Sequence, residues 1–216
     1  MIPLSVPNIN GNEWKYVKEC LDTGWISSAG AYVNKFEESI QKYTGAKYAI
    51  ACMNGTAGLQ VSLNLAGVTN KDIVIAPNLT FVATLNAIKY TGADIVLVDI
   101  CEQSWQIDVK LLQEWLNQNT TTKTINNKRI TIENKTGRKI GAIIPVYVLG
   151  SFVDIDKLLE IGSNRGIPII EDSTEALGSF KEKKHAGTFG LTGVLSFNGN
   201  KIVSTGGGGM ILTNNK

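Results

Sequence analysis

Residues 193–213, GVLSFNGNKIVSTGGGGMILT, predict two short buried strands joined by a loop that carries a lysine and four consecutive glycines. The apolar runs at 194–197 and 210–212 predict the strands. Between them, Lys201 precedes the glycines at 206–209, which permit positive φ and close approach of the backbone to a ligand or another chain. A lysine held there is suited to forming a Schiff base with a carbonyl cofactor. The alternative is a β-hairpin with a flexible tip and a solvated lysine.

The composition is that of a folded domain. Hydrophobic residues make up 43% of the 216 residues, so a large core can be buried. The formal net charge of +2 disfavours a nucleic-acid-binding protein. No apolar run approaches the roughly 18 residues that a membrane-spanning helix needs. The opening MIPLSVPNIN lacks the basic and apolar regions of a signal peptide, so a cytoplasmic location is expected.

The cysteines predict neither a metal site nor a redox motif. Cys20, Cys52 and Cys101 are odd in number and show no such spacing, so they are expected to be buried thiols of a cytosolic protein.

Helical patterns alternate with short apolar runs along the chain. Helices are predicted within 8–24, 36–43, 59–65, 81–90, 111–116 and 154–165, and strands at 48–51, 72–76, 94–98, 139–148 and 167–170. The polar segment 118–138 predicts a surface excursion with a small hairpin around Ile130. This order indicates an α/β fold, a three-layer sandwich with a mostly parallel, mixed sheet. In such sheets, ligands bind at the carboxyl ends of the strands.

The turn Asn54-Gly55-Thr56-Ala57-Gly58 lies between a predicted strand and an apolar helix. The free N–H groups and the dipole of a helix N-terminus favour an anion, so this turn predicts a phosphate site to which Thr56 adds a hydroxyl. The alternative is that Asn54 and Thr56 only cap the helix.

Two further side chains follow predicted strands, where such sheets place ligands. Asp172 comes directly after 167–170 and could pair with a protonated ring nitrogen, or else cap a helix over 173–177. Phe81 begins a helix and could stack on a planar ligand or belong to the core. His185, the single histidine, lies in the charged turn KEKKHAGTFG and is expected at the surface.

These features together match the requirements of pyridoxal 5′-phosphate (PLP). Its phosphate needs backbone donors, its ring a stacking partner, its pyridine nitrogen a carboxylate, and its aldehyde a lysine. Metalloprotease, Walker A, nucleophile-elbow and dinucleotide-binding motifs are missing from the sequence, and no metal site is predicted.

The chain resembles the large domain of the DegT/DnrJ/EryC1/StrS sugar aminotransferases, PLP enzymes of fold type I. The resemblance covers nearly all of residues 1–216. It rests on the motifs GWISS at 24–28, VNKFE at 33–37, NGTAGL at 54–59, PNLTFVAT at 77–84, EDSTEALG at 171–178 and SFNGNKIVSTGGGGM at 196–210.

The resemblance implies a role for each matching residue. Lys201 takes the position of the lysine that forms the Schiff base and moves a proton between Cα and C4′ of the cofactor. Asp172 corresponds to the partner of the pyridine nitrogen, Glu175 to a residue near the 3-hydroxyl, and Phe81 to the stacking aromatic. The phosphate would be held by Thr56, Ala57 and Ser196.

Two residues depart from the family pattern. Asn198 stands where many members have histidine or tyrosine, and Gly207 stands where many have an acidic residue. Members that became dehydratases replace the lysine by histidine, so Lys201 disfavours that reaction.

The resemblance also implies substrates and partners. The loop is most similar to members of perosamine or legionaminic-type pathways, which aminate C4 of nucleotide-linked 4-keto-6-deoxy sugars with an amino-acid donor, most often glutamate. A homodimer is expected, with no nucleic-acid or membrane partner. The family has a small C-terminal domain beyond residue 216, so we expect a truncated protein. The alternatives are a C3 sugar aminotransferase or a non-catalytic interaction fragment.

Overall fold

The architecture is that of a computed structural model which describes residues 2, 6 and 8–216. Of the six α-helices within these residues, three end at glycines in the left-handed conformation, namely Gly24, Gly45 and Gly166. The helices are α1 Glu13–Thr23, α2 Ala31–Thr44, α3 Gly55–Leu65, α4 Val82–Tyr90, α5 Val109–Asn119 and α6 Ile155–Arg165. The strands are β1 Tyr48–Cys52, β2 Asp72–Pro77, β3 Asp94–Val98, β4 Thr120–Ile125, β5 Lys128–Glu133, β6 Lys139–Ile143, β7 Ile170–Asp172, β8 Phe180–Lys181, β9 Lys184–His185, β10 Thr192–Ser196 and β11 Gly209–Thr213.

The predicted α/β class with a mixed sheet is confirmed. One large group of strands has the order β1-β11-β10-β7, and the other has the order β3-β2-β6-β5-β4, while β8 and β9 form a separate two-stranded hairpin. Two parallel bridges, Ile143 to Ile169 and Val146 to Asp172, connect the groups. The pairs β2–β3, β2–β6 and β7–β10 are parallel, whereas β11 runs antiparallel to both β1 and β10.

Strand β2 shows why the sheet is covered on both faces. Ile73 and Ile75 belong to one core that also contains residues of α5 and α6, and Val74 and Ala76 belong to a second core with residues of α3 and α4. Alternate side chains of a strand point to opposite faces, so helices lie on both sides of the sheet. The predicted three layers follow from this alternation.

Two predicted strands are shorter or displaced in the structure. The strand predicted at 139–148 ends at Ile143, and the one predicted at 167–170 begins at Ile170. Proline has no backbone N–H for a sheet ladder, and Pro145 and Pro168 lie at these two boundaries. A short turn over Val148–Gly150 follows β6, and its central residue, Leu149, has φ and ψ outside the range of a right-handed helix.

The polar segment at 118–138 forms a longer hairpin than the sequence predicts. Strands β4 and β5 pair antiparallel along their whole length, and the turn residues Asn126 and Asn127 have φ of 49° and 60°. Two consecutive positive φ values match the twist of a tight hairpin. The Thr131 hydroxyl donates to the carbonyl of Arg165, and Ile132 pairs with Lys139 of β6. The hairpin therefore extends the sheet instead of standing apart from it.

The first helix is confirmed, but it buries none of its residues in this chain. Its apolar residues at helical spacing, Trp14, Val17 and Leu21, are all exposed. No helix of the part of the chain that the structure describes is long and apolar enough to cross a membrane.

Candidate active site

A cavity of about 270 Å³ lies where the first turns of α3 and α4, the end of β7 and the loop between β10 and β11 meet. This is the carboxyl end of strand β7, as expected for a ligand site in an α/β sheet. The lining side chains combine one lysine, two carboxylates, several hydroxyls and amides, and one aromatic ring. They are Asn54, Gly55, Thr56, Leu59, Phe81, Ala83, Thr84, Asp172, Thr174, Glu175, Ser196, Asn198, Asn200 and Lys201.

Lys201 is held in the loop rather than solvated. Its backbone N–H donates to the carbonyl of Asn198 at 2.9 Å, and its Nζ lies 3.2 Å from Oε1 of Glu175. The lysine side chain is 14% exposed. The other carboxylate oxygen of Glu175, Oε2, accepts from the N–H of Leu149 at 2.9 Å. Both oxygens of this carboxylate therefore have a partner.

Asp172 is a buried carboxylate at the end of β7, with 3% of its surface exposed. The Thr84 hydroxyl donates to its Oδ2 at 2.7 Å, and the Thr174 N–H donates to its Oδ1 at 3.2 Å. Burial raises the pKa of this carboxyl, while the hydrogen bonds and the charge of Lys201 oppose the increase. Within the described residues Asp172 makes no salt bridge, so the cavity presents a carboxylate that a cation can neutralise.

The alternative role of Asp172 as a helix cap does not hold. Residues 173–178 form turns and no helix. The bond from the Thr174 N–H to Oδ1 is therefore a turn contact, and the carboxylate remains directed at the cavity.

The N-terminus of α3, where the sequence predicts an anion site, lies at the cavity. Asn54 is the N-cap, and its side chain accepts from the Ala57 N–H at 2.8 Å. In the described part of the chain, the N–H groups of Gly55 and Thr56 have no acceptor. A Cβ at Gly55 would lie 2.9 Å from Cγ2 of Thr174, so only glycine fits this close approach. Thr56 and Ser196 line the cavity, whereas Ala57 does not.

Phe81 lies at the mouth of the cavity and outside the core. It is the N-cap residue of α4, and its side chain is 73% exposed. Its ring is therefore free to cover a planar ligand that enters between α3 and β7.

The sequence profile of the DegT/DnrJ/EryC1/StrS aminotransferase family matches residues 7–216. The chain belongs to this family. A similar protein, GDP-perosamine synthase from Escherichia coli O157:H7, is 39% identical over 215 residues, which are all of this chain and 54% of that protein. The chain therefore spans about half the length of this relative.

Solved structures are also similar to the chain, which covers about half of their length. A DegT/DnrJ/EryC1/StrS aminotransferase from Brucella abortus superposes with a TM-score of 0.83 at 29% identity, over 93% of this chain and 50% of that one. A GDP-4-keto-6-deoxy-D-mannose-3-dehydratase of E. coli, solved with bound hydrated PLP, superposes with a TM-score of 0.80 at 26% identity, over 99% and 51%.

The two departures from the DegT/DnrJ/EryC1/StrS pattern lie beside the lysine. Asn198 lines the cavity, and its amide donates to the side-chain oxygen of Asn200 at 3.0 Å. Gly207 is exposed, and its carbonyl accepts from the Thr205 hydroxyl. Asn198 therefore contributes an uncharged polar group to the cavity, whereas Gly207 does not line it.

Sequence reasoning missed two residues that support Asp172. Thr84 follows Phe81 by three residues, which places both on the first turn of α4, but nothing local shows that it reaches Asp172. Glu171 is fully buried and accepts from the Tyr147 hydroxyl at 2.6 Å and from the N–H groups of Gly187, Phe189 and Gly190. These bonds fix β7, and therefore Asp172, against the loop before β10.

The prediction that His185 lies at the surface is wrong. The ring is completely buried, and it contacts Phe180 with 4.9 Å between ring centroids. The Gly178 N–H donates to Nε2 at 3.0 Å, so Nδ1 carries the proton and donates to the carbonyl of Ala186. Burial lowers the pKa of His185. Its lysine-rich neighbours belong to the short β8–β9 hairpin, which places the histidine inward.

The cysteines are partly exposed and not buried as predicted, because each lies on a surface element. Cys20 is on α1, Cys52 ends β1, and Cys101 is in the loop before α5. Among the described residues, no group of three or more His, Cys, Asp or Glu side chains has the arrangement of a metal site.

Proposed function

We propose that residues 1–216 form the cofactor-binding large domain of a PLP-dependent sugar-nucleotide aminotransferase. The observation that carries the proposal is that three features meet in one cavity: an ion-paired lysine, a buried carboxylate, and N–H groups at a helix N-terminus. Among the residues that the structure describes, this carboxylate makes no salt bridge and these N–H groups have no acceptor. The alternative roles are a helix cap for Asp172, a core position for Phe81 and a solvated side chain for Lys201. Each alternative concerns one residue alone, and together they do not explain why all three residues line the same cavity.

The residues present fit PLP. The phosphate would be held by the N–H groups of Gly55 and Thr56 and by the hydroxyls of Thr56 and Ser196, with Ala57 set back behind Asn54. The ring would lie against Phe81, with its nitrogen toward Asp172 and its 3-hydroxyl toward Glu175. The similarity to the E. coli dehydratase that was solved with hydrated PLP, at 26% identity, supports PLP as the cofactor.

Bound PLP supplies an electron sink that makes the Cα–H of an amino acid acidic. The residues of this chain have three tasks beside it. Asp172, buried and hydrogen-bonded by Thr84, favours a protonated ring nitrogen because its charge has no other cation partner in the described structure. Nζ of Lys201, once it leaves Glu175, is an amine inside the cavity that can accept a proton and return it. Phe81 shields the ring face from water.

The proposed reaction moves an amino group from glutamate to C4 of a nucleotide-linked 4-keto-6-deoxy sugar, for surface glycan or polysaccharide synthesis. The similarity to GDP-perosamine synthase, over the whole of this chain, supports this substrate class. Lys201 separates the proposal from the dehydratase reaction, because the resemblance implies that dehydratases have histidine at this position.

We also propose a cytoplasmic homodimer. The exposed apolar residues of α1, together with Phe81 and Ile202 beside the cavity, support an interface with a second copy. The three cysteines are free thiols, as is usual in a reducing compartment.

The test is to incubate the complete protein with PLP, glutamate and a panel of 3-keto and 4-keto sugar nucleotides, and to locate the new amine by NMR. We expect an amine at C4 and the release of 2-oxoglutarate. An amine at C3 would overturn the regiochemistry in favour of the C3 alternative. No amine from any ketosugar would overturn the substrate class, and a folded protein without PLP affinity would favour the non-catalytic interaction fragment.

A further inference from the structure

The turn Tyr147–Gly150, which we call the 147–150 turn, contains a leucine in an unfavourable backbone conformation. Leu149 has φ of 52° and ψ of 25°, the left-handed helical region. For a residue with a Cβ this region is disfavoured, because the Cβ comes too close to the following carbonyl oxygen. Such a conformation persists only where the surroundings enforce it, and it often marks a functional site.

The side chain does not explain this conformation. Leu149 is 77% exposed, so its side chain is not placed for core packing. Its N–H, in contrast, donates to Oε2 of Glu175 at 2.9 Å, while Oε1 of the same carboxylate lies 3.2 Å from Nζ of Lys201. The left-handed backbone of Leu149 therefore points its N–H group at the carboxylate of Glu175.

The 147–150 turn is anchored to the strand and loop that carry the site residues. The Tyr147 N–H donates to the carbonyl of Asp172 at 3.0 Å, and its hydroxyl donates to Glu171 at 2.6 Å. Gly150 packs so closely that an added Cβ would lie 2.7 Å from Oγ of Ser179 and 3.3 Å from the carbonyl oxygen of Glu175.

A buried amide supports the turn from the opposite side. The side chain of Gln106 is 1% exposed and lies among the carbonyl oxygens of this segment, including that of Val148. The turn is therefore held between Gln106 and the 171–179 segment, and it has little freedom to redirect the Leu149 N–H.

We propose that Leu149 is a positioning residue: its left-handed backbone directs an N–H at Glu175 and thereby holds the carboxylate that restrains Lys201. This proposal deepens the proposed function, because the restrained lysine is the one assigned to the cofactor aldehyde. The restraint itself exists without cofactor, so it can be measured in cofactor-free protein.

The experiment compares Leu149→Val with Leu149→Asn. Valine disfavours the left-handed region because it is β-branched, whereas asparagine tolerates it. The cofactor-free protein is labelled with an amine-reactive ester, and mass spectrometry follows the labelling rate of Lys201 relative to the exposed Lys123. We expect Leu149→Val to label Lys201 about three- to fivefold faster than wild type, as loss of a partly exposed ion pair implies. Leu149→Asn should label at the wild-type rate.

Two further variants keep the test decisive if Leu149→Val does not fold. Glu175→Gln retains an oxygen for the Leu149 N–H but removes the charge, so Lys201 should again label faster. Leu149→Gly relieves the strain and keeps the N–H, so it should label as wild type does and unfold at a higher denaturant concentration.

Unchanged labelling in both Leu149→Val and Glu175→Gln would overturn the proposal, as would equal acceleration in Leu149→Val and Leu149→Asn. Failure of the proposed function gives a different result, namely no PLP binding in a protein whose Lys201 labelling still responds to residue 149.

Discussion

The Thr84 hydroxyl donates a 2.7 Å hydrogen bond to Oδ2 of Asp172, and both side chains are almost completely buried. The two residues lie 88 positions apart in the chain, on α4 and β7. A buried carboxylate depends on such donors, because burial alone raises the pKa of Asp172 and disfavours its charge.

Replacing Thr84 by Val removes this donor and keeps the side-chain shape. We expect the pKa of Asp172 to rise further and the free energy of unfolding to fall by about 1–3 kcal/mol, since a buried acceptor loses its partner. PLP affinity should fall as well, because fewer carboxylates would be ionised at neutral pH. Urea unfolding and an absorbance titration with PLP measure the two effects. Thr84→Ser retains the hydroxyl and is the control; equal losses in both variants would contradict this explanation.

Lys201 should be the site of covalent attachment to PLP. We expect visible absorption when the complete protein is mixed with PLP, and borohydride reduction should fix the cofactor on Nζ of Lys201, as peptide mass spectrometry would detect. Lys181→Ala, which removes an ion-paired lysine outside the cavity, should behave as wild type. An adduct found on another lysine would show that the site is wrongly assigned.

Gly55→Ala should damage the phosphate site specifically. The added Cβ would lie 2.9 Å from Cγ2 of Thr174 and 3.3 Å from Cβ of Ser196, so either these side chains or the start of α3 must shift. We expect a loss of about 1–3 kcal/mol in the free energy of unfolding, together with weaker PLP binding. Gly199→Ala is the matched control, because a Cβ at that position of the same cavity region meets nothing within 4 Å. Similar losses of PLP binding and stability in the two variants would contradict a phosphate site at the N-terminus of α3.

The buried His185 should make stability fall in mild acid. Its folded pKa lies below the ordinary value near 6.5 because burial disfavours the charged ring. Below about pH 6.5 the unfolded state therefore binds more protons, and the free energy of unfolding falls by up to about 1.4 kcal/mol per pH unit. This contribution is fully present above pH 6.5.

Urea unfolding at pH 7.5 and 5.5 tests this dependence. His185→Gln keeps an acceptor for the Gly178 N–H but does not titrate, so its stability should change less between the two pH values. The carboxylates are common to both proteins and cancel in the comparison. An identical change in both would show that groups other than His185 cause the pH dependence.

The local features of this fold were predictable because they depend on neighbours in the chain. Alternating apolar periods placed the helices and strands, and glycines at 24, 45 and 166 end helices through a backbone conformation that side chains disfavour. Asp172, Phe81 and Lys201 could be selected because each follows or precedes a strand, and α/β sheets bind ligands at strand ends.

Long-range packing decided the rest. Three hydrogen bonds show this: Thr84 donates to Asp172, the Leu149 N–H donates to Glu175, and the Gly178 N–H donates to the buried His185. No repeating sequence pattern connects the two partners of any of these bonds. A hydrogen bond between distant segments leaves no local pattern in the residues that form it, because either partner alone resembles a cap, a turn or a charged loop. Only the folded sheet, which brings β7, α4 and the 147–150 turn to one edge, shows which side chains support the lysine and the buried carboxylate.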